Sequence, residues 1–591
     1  MHGLEVTVLL GIAILVGTLL APRLRLATPL VLLVLGLLLG FVPALRDVEL
    51  PPETVLLLFL PVMLFWESLT TSLRSIRRDF RYIAPMSTLL VVASAFAVAG
   101  LATLLGLPWE ASLILGAAVA PPDATAVAAL GRLLPQRTFM KLKAESLTND
   151  GTALVIYAIA VSLAVGGHVS GWTITWTVLV SYIGGAAAGV LGAVFGWLVL
   201  RRLQATLPIN LTLLLVPFVS FLLAELVGAS GVLAVVVAGL IIAWISPRVT
   251  TAASRRQAEA MWPFGVFVLN GALFVLIGLE VQLVVHEISP SEIWSLVLAS
   301  VAVWAALLVV RYVFQLLSAP FTHPAPGTSF ALRNRMRVVS TFAGFRGAVS
   351  LAIAMSVPLT TNAGAPLPGR SEIVFVTAGV IVLGLVIQGP LLPALIRWAR
   401  YPRDTTTQDE CDLIERAISG AAVAALDDLA AEHGISDEVR DRTRRDTYEM
   451  LELANARSIA RQRAAMEADA ADLQAVAGTG PLADEPDAGI PGPGAVVPDA
   501  GGPGVGAGVG ADAAGFELEM LAVSTDIDVT QRSPLVKHEE HTRLKLALLD
   551  RKREVLLRLR SERVVDDLVV RRVQGRLDLE EVRLRGIEAF D

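Results

Sequence analysis

Charge is the first thing this sequence lacks. Only 17% of its 591 residues are Asp, Glu, Lys or Arg, while 54% are hydrophobic; soluble globular domains carry about 25% charged residues. The expected solvent of such a chain is the bilayer. Cysteine is nearly absent: Cys411 stands alone, which excludes an intramolecular disulfide framework. The seven histidines, at 2, 168, 286, 323, 433, 538 and 541, all fall outside the apolar runs, so an intramembrane metalloprotease has no ligands here. A Gly-rich phosphate loop of the GxxxxGKS or GxxxxGKT type is missing, as are a His/Cys metal cluster and a Ser/His/Asp arrangement in context. Neither an enzymatic activity nor a cofactor is expected. No basic stretch precedes the first apolar run and no small-residue cleavage site follows it, so a removable signal peptide is not expected and the first helix should stay as an anchor.

Acids are scarcest in the first 403 residues, which hold 16 of the 54, against 38 from Asp404 onward. The chain therefore divides into a membrane part, 1–403, and a charged tail. Apolar runs long enough to cross about 30 Å of hydrocarbon fall near 4–21, 28–45, 55–70, 82–107, 109–130, 144–166, 173–200, 207–226, 228–245, 261–285, 293–318, 338–358 and 372–399, thirteen in all. Basic residues gather in every second connection, from Arg23/Arg25 through Arg74–Arg81, Arg132–Lys143, Arg201/Arg202, Arg248–Arg256 and Arg333–Arg337 to Arg397–Arg403. The positive-inside rule makes those connections cytoplasmic, so the amino terminus is expected outside and the tail inside. Arginine outnumbers lysine 43 to 5, a composition of GC-rich bacterial genomes, and the bacterial cytoplasmic membrane is the expected location.

An odd number of spans allows two halves of six in opposite orientation, with the seventh as connector. The fifth breaks at Ala120-Pro121-Pro122-Asp123 and the twelfth at Gly344-Phe345-Arg346-Gly347, corresponding places in the two halves. The predicted fold is an all-α polytopic membrane protein of about thirteen transmembrane helices, with inverted repeats, two interrupted crossing helices and a soluble helical cytoplasmic tail. In the tail, 404–477 reads as helical, 478–515 as a Gly/Pro/Ala-rich disordered linker, and 516–591 as helical again. Leu544, Leu548, Val555 and Leu559 follow helical spacing there. Acids match or exceed bases in the tail, and nucleic acid is not an expected partner.

The ionisable groups inside the apolar runs are Glu67, Asp123, Glu145, Asp150, Glu225, Glu280, Arg311 and Arg346. Each costs about 2.5–3.5 kcal/mol at a helix centre on insertion scales and needs a partner, water or a function. Six acids against two arginines favour a cation, and acids that lose and regain protons suit a proton-coupled path. Glu145 and Asp150 are five apart, about 140° around a helix, and point to different sides. Ser146 and Asp150 are four apart and share a face, so a hydroxyl and a carboxylate can meet one small cation. Pro121 and Pro122 withhold two backbone donors and leave upstream carbonyls unpaired beside Asp123. Read from the residues, Glu145 either pairs with Arg311 as structure or binds the cation directly, with the pair favoured; Arg346 satisfies carbonyls and offsets acid charge at the broken span; and Glu67, Glu225 and Glu280 are either snorkelling or hydrogen-bonded structural acids, the favoured reading, or part of the ion path. Asp123 either caps the helix that restarts after the prolines or binds the cation, and Asn149 either joins helices or assists the site.

At these residues the chain resembles the sodium/proton exchangers of the first monovalent cation/proton antiporter family. The resemblance is carried by Ala-Pro-Pro-Asp-Ala-Thr-Ala-Val at 120–127, Glu-Ser-Leu-Thr-Asn-Asp-Gly-Thr-Ala at 145–153, Ala-Glu-Leu-Val-Gly-Ala-Ser-Gly-Val-Leu-Ala at 224–234, Leu-Ile-Gly-Leu-Glu at 276–280, Phe-Arg-Gly-Ala-Val-Ser-Leu-Ala at 345–352 and Gln-Gly-Pro-Leu-Leu-Pro at 388–393. It covers about 1–400 and not the tail. It implies that Asp150 binds the ion and carries the proton, that Asn149 is its partner, and that Ser146 and Asp123 bind the cation, Na+, with the backbone of Pro122 supplying a carbonyl. Threonine often stands just before this aspartate in the family; the proline here removes any side-chain ligand but keeps the carbonyl. The resemblance also implies that Glu145 and Arg311 form a buried ion pair, that Arg346 is the arginine of the second crossing helix, and that the protein is a homodimer. The small residues Gly185, Gly189 and Ala193 suit close packing at that dimer interface or within the chain.

The expected activity is exchange of sodium, with lithium as a further substrate, for protons by competition at Asp150 with alternating access, serving pH and sodium homeostasis. Asn149, where electrogenic relatives carry a second aspartate, implies electroneutral one-for-one exchange. A potassium/proton antiporter is the alternative within transport, and a passive cation channel or membrane sensor the alternative outside it. The expected surroundings are membrane lipid and, for the tail, a regulatory partner or ligand.

Overall fold

The computed structural model describes residues 2–24, 26–42, 52–123, 134–167, 170–319, 329–401, 406–477 and 533–586. The expected linker at 478–515 lies outside the described residues. In chain order the membrane part is α1 (His2–Leu24), α2 (Thr28–Leu39), α3 (Pro52–Leu69), a short α4 (Leu73–Arg78), α5 (Phe80–Ser87), α6 (Leu89–Leu104), α7 (Trp109–Val119), α8 (Gln136–Ala164), α9 (Gly171–Leu179), α10 (Gly185–Leu200), α11 (Thr206–Glu225), α12 (Gly231–Val249), α13 (Ala252–Glu287), α14 (Pro290–Leu317), α15 (Phe330–Phe342), α16 (Ala348–Met355), α17 (Arg370–Leu383) and α18 (Gly389–Ala399). One turn of π-helix joins α9 to α10 and another joins α17 to α18. Four more helices follow: α19 (Thr406–Glu432), α20 (Asp437–Ala477), α21 (Pro534–Ser561) and α22 (Asp567–Arg585).

Among the described residues, nine helical stretches are long and apolar enough to cross a membrane, and three shorter apolar helices, Thr28–Leu39, Leu57–Leu69 and Trp109–Val119, lie at further expected positions. The broken pair α15/α16 occupies the remaining one. The protein is therefore a multi-pass membrane protein, with each expected run matched by a helix or a pair of helix pieces. One boundary differs. The sequence places the start of the sixth span at residue 144, after a basic loop, but α8 already begins at Gln136, so Lys141 and Lys143 lie inside the helix.

Glycine sets how closely these helices approach. A Cβ on Gly36 would fall 2.0 Å from the carbonyl oxygen of Val275, and one on Gly278 2.1 Å from that of Leu33, so α2 and α13 touch backbone to backbone. The small face of α10 packs inside the chain: Gly185 and Gly189 lie against the carbonyls of Ser230 and Ala234, and Gly192 against Ser220 of α11. This is the intrachain alternative for the Gly185, Gly189, Ala193 spacing.

The chain separates into two units, one of residues 1–411 with 556–591 and one of residues 412–555. In the second unit, Leu544 and Leu548 of α21 bury against Ala422, Leu426 and Ala430, and Glu540 accepts from the backbone N–H and hydroxyl of Ser436 at 3.1 and 2.6 Å. The first unit regains chain from the far end of the sequence. Helix α22 lies against the C-terminal end of α3, the start of α4 and the N-terminal part of α13. Arg571 donates to the carbonyls of Leu69 and, at 2.7 Å, Thr71, capping helix-terminal acceptors that lack intrahelical partners. Asp578 takes a two-pronged pair from Arg255 at 2.7 Å each. Asp567 accepts from the backbone N–H of Arg74 at 3.2 Å and pairs with Arg560 at 2.7 Å. Val569, Val570, Val573 and Leu577 are buried beneath these contacts.

Burial alone would raise the carboxyl of Asp567, but the Arg560 guanidinium and the Arg74 N–H outweigh it and hold the group below the ordinary carboxylate range. Burial pushes Arg571 down to about 10, partly opposed by Asp567. It remains charged at neutral pH. Glu410, whose carboxylate accepts from the N–H of Asp566 at 2.7 Å, is raised by burial, with that hydrogen bond opposing.

Candidate functional site

The two interruptions meet. Helix α7 stops at Val119 because Pro121 and Pro122 cannot continue its hydrogen bonding, and α15 stops at Phe342 before Gly344 and Gly347. The N–H of Asp123 donates to the carbonyl of Phe345 at 2.7 Å, tying one break to the other. Arg346 completes the tie: its Nε donates to Val119 O at 2.9 Å, one terminal nitrogen to Ala120 O at 3.4 Å and the other to Gly344 O. The guanidinium thus serves carbonyls of both broken helices, which broken backbone in a membrane requires. The carboxylate of Asp123 lies directly over Gly347, where a Cβ would come within 1.4 Å of Oδ2. Only glycine fits there.

Helix α8 divides its polar residues between two sides. Glu145, 1% exposed, grips Arg311 of α14 with two hydrogen bonds of 2.5 and 3.0 Å, and Arg311 Nε donates to Ser340 O at 3.0 Å. With both oxygens taken, Glu145 is held away from the cavity. Asn149 is fully buried and donates from Nδ2 to Pro122 O at 2.9 Å; since a carbonyl can only accept, the amide nitrogen must face it. One lone pair of that carbonyl remains. The other amide atom, Oδ1, is buried without a hydrogen-bond partner among the described residues.

Ser146 and Asp150, 5% and 7% exposed, line a cavity of about 340 Å³ together with Asp123, Glu67, Thr70 and Lys143. Three carboxyls and a serine hydroxyl line it, hard oxygen donors of the kind that bind small cations. No cluster of three or more His, Cys, Asp or Glu side chains in metal-holding geometry occurs among the described residues.

The structure thus brings Asp150, Ser146 and Asp123 to one cavity, sets Asn149 and Pro122 behind it, and separates Glu145, Arg311 and Arg346 as the frame. Two lining groups depart from the sequence expectation. Glu67, outside the expected cation-binding set, lines the cavity, and Lys143, expected in a loop, stands on α8. A signal exists for Lys143: with Ser146 and Asp150 it forms an i, i+3, i+7 series on one helix face. Glu280 instead lies 3.8 Å from Arg370, and Glu225 borders a separate cavity of about 560 Å³ with Tyr157, Ser181 and Ser230.

Comparison with known proteins agrees with this architecture. Residues 10–398 match the family described as "Sodium/hydrogen exchanger, transmembrane". An uncharacterized Na(+)/H(+) exchanger of Mycobacterium tuberculosis is 35% identical over 98% of this chain and 96% of its own length, tail included. A "sodium, potassium, lithium and rubidium/H(+) antiporter" of Bacillus pumilus is 30% identical over 62% of this chain and 57% of its own length. Among solved structures, the sodium proton antiporter MjNhaP1 of Methanocaldococcus jannaschii superposes with a TM-score of 0.51 over 67% of this chain and 99% of its own, at 19% identity. That likeness is one of fold.

Proposed function

The chain belongs to the sodium/hydrogen exchanger family, and from that membership we propose that it exchanges sodium for protons at Asp150, one for one, by alternating access. The observation that carries the reading is the shared cavity of Asp150, Ser146 and Asp123, from which Glu145 is withdrawn by Arg311. Asp150 binds either a proton or a sodium ion. An ionised carboxylate is costly to carry across a hydrocarbon core, so the moving part of the bundle crosses only when one of the two is bound. Ser146 and Asp123 supply further oxygens to the ion, and Pro122 its remaining carbonyl lone pair. With Asn149 neutral, one charge is exchanged for one, and transport is electroneutral. The protein works as a homodimer in a bacterial cytoplasmic membrane, amino terminus outside and tail inside, and serves pH and sodium homeostasis.

Oxygen ligands alone do not fix the radius of the cation, and the substrate range in the name of the Bacillus relative makes potassium the second reading. One experiment tests both: in everted vesicles holding a proton gradient, sodium, lithium and potassium are added in turn. Sodium is expected to collapse the gradient, lithium to do so as well, and Asp150→Asn to abolish both responses. Unchanged cation-driven proton movement in that variant would refute the assignment of Asp150.

A further inference from the structure

Among the described residues lining the Asp150 cavity, Lys143 supplies the one cationic side chain, alongside the carboxyls of Glu67, Asp123 and Asp150. It stands on the same helix face as Ser146 and Asp150, two turns nearer than Asp150 to the N-terminal end of α8, where Arg137 and Lys141 gather around Asp79 at 3.3 and 3.4 Å. Its ammonium is tethered. Nζ donates to Thr70 Oγ1 at 2.6 Å, and that hydroxyl donates in turn to Trp66 O at 2.9 Å. The residues on either side of Thr70 are held by Arg571, through the carbonyls of Leu69 and Thr71. Thr70 is therefore a fixed post, and the ammonium bound to it stays inside the cavity but off the carboxylate of Asp150.

We propose that Lys143 sets the cation affinity of the exchange site, as a built-in positive charge whose repulsion keeps a bound sodium ion releasable. The proposal rests on the reading of Asp150 as the ion-binding group. Two turns of helix separate the two backbone positions by about 10 Å; for charges about that far apart, with an effective dielectric constant near 20, repulsion between two unit charges changes affinity on the order of tenfold. Glu67 faces the same ammonium and offsets part of this. The net effect of removing the charge is therefore about three- to tenfold. Thr70 tunes it: without its acceptor, the ammonium turns to the carboxyls in the cavity and competes with sodium directly.

Three full-length variants, Lys143→Gln, Lys143→Arg and Thr70→Val, test this in proteoliposomes by sodium-dependent proton movement, and in purified protein by calorimetric titration with sodium chloride. Lys143→Gln is expected to lower both the KM and the Kd for sodium about three- to tenfold, Lys143→Arg to leave them within about twofold, and Thr70→Val to raise them. A merely structural lysine predicts loss of maximal rate or of folded protein without tighter binding. Unchanged or weaker sodium binding in Lys143→Gln would overturn the proposal. If sodium binds with the expected shift while no variant and no unsubstituted protein moves protons, the exchange reading fails and the role of Lys143 stands.

Discussion

Gly347→Ala is a single-methyl change whose cost follows from the meeting of the two broken helices. The new Cβ would lie 1.4 Å from Asp123 Oδ2, whereas ordinary contact begins at 3.4 Å, so the carboxylate has to retreat by about 2 Å. It cannot take its backbone along, because the N–H of Asp123 is fixed to Phe345 O at 2.7 Å and Arg346 holds Val119 and Gly344 together. Either the carboxyl swings out of the cavity or the two breaks part. A displacement of 1 Å at a reacting or binding group costs about 100-fold in rate, and sodium-driven proton movement in everted vesicles is expected to fall by at least that factor. Protein yield and thermal stability in detergent, measured alongside, separate this from misfolding. Gly265→Ala is the control, since nothing lies within 4 Å of the place its added methyl would take, and it should transport normally. Transport by Gly347→Ala within about threefold of the unsubstituted protein would show that the position of the Asp123 carboxyl is immaterial to exchange.

Two further outcomes follow from the charged contacts. Glu145→Gln leaves Arg311, 2% exposed, as an unpaired buried cation and is expected to destabilise the protein by about 3–5 kcal/mol, read as a fall in thermal unfolding temperature; an unchanged temperature would mean that the pair is not buried. Because the carboxyl of Asp567 is held below its ordinary range, it stabilises the docked α22 above its unfolded pKa of about 3.9 and loses that contribution only as pH falls through the lower folded value. Hydrogen exchange corrected for intrinsic rates should therefore show α22 protected at about pH 5. Glu410 acts in the opposite sense, its raised pKa favouring the docked state below about pH 4.5 and weakening it as pH rises through the folded value. Loss of protection of α22 between about pH 6 and 5 would contradict the pairing of Asp567.

Much of the fold is legible because its signals are local. Run length marks the spans, and the prolines at 121–122 and the glycines at 344 and 347 mark the two interruptions. The angle between positions 145 and 150 is a property of any α-helix, and it separates the residue that meets Arg311 from the one that faces the cavity. What escapes depends on pairing at a distance. Lys143 reads as loop because a basic residue near a span boundary is ordinarily solvated; only Thr70, from another helix, gives it a place inside. Glu67 carries no local mark that tells a snorkelling acid from one in a cavity. The return of α22 has no local signature at all, since its ties to Leu69 and Thr71 span about 500 residues of sequence.

That return has a consequence for how the protein is made. Arg571 leaves the ribosome 500 residues after Thr71, which at about 5–20 residues per second is about 25–100 s. Throughout that interval α3 is already synthesised, but the carbonyls of Leu69 and Thr71 lack the Arg571 guanidinium, and Arg255 has no Asp578. The freshly inserted bundle therefore differs at this end from the finished one, and the difference ends only when α22 docks. Maturation of the transporter thus has a last, non-membrane step, timed by translation itself.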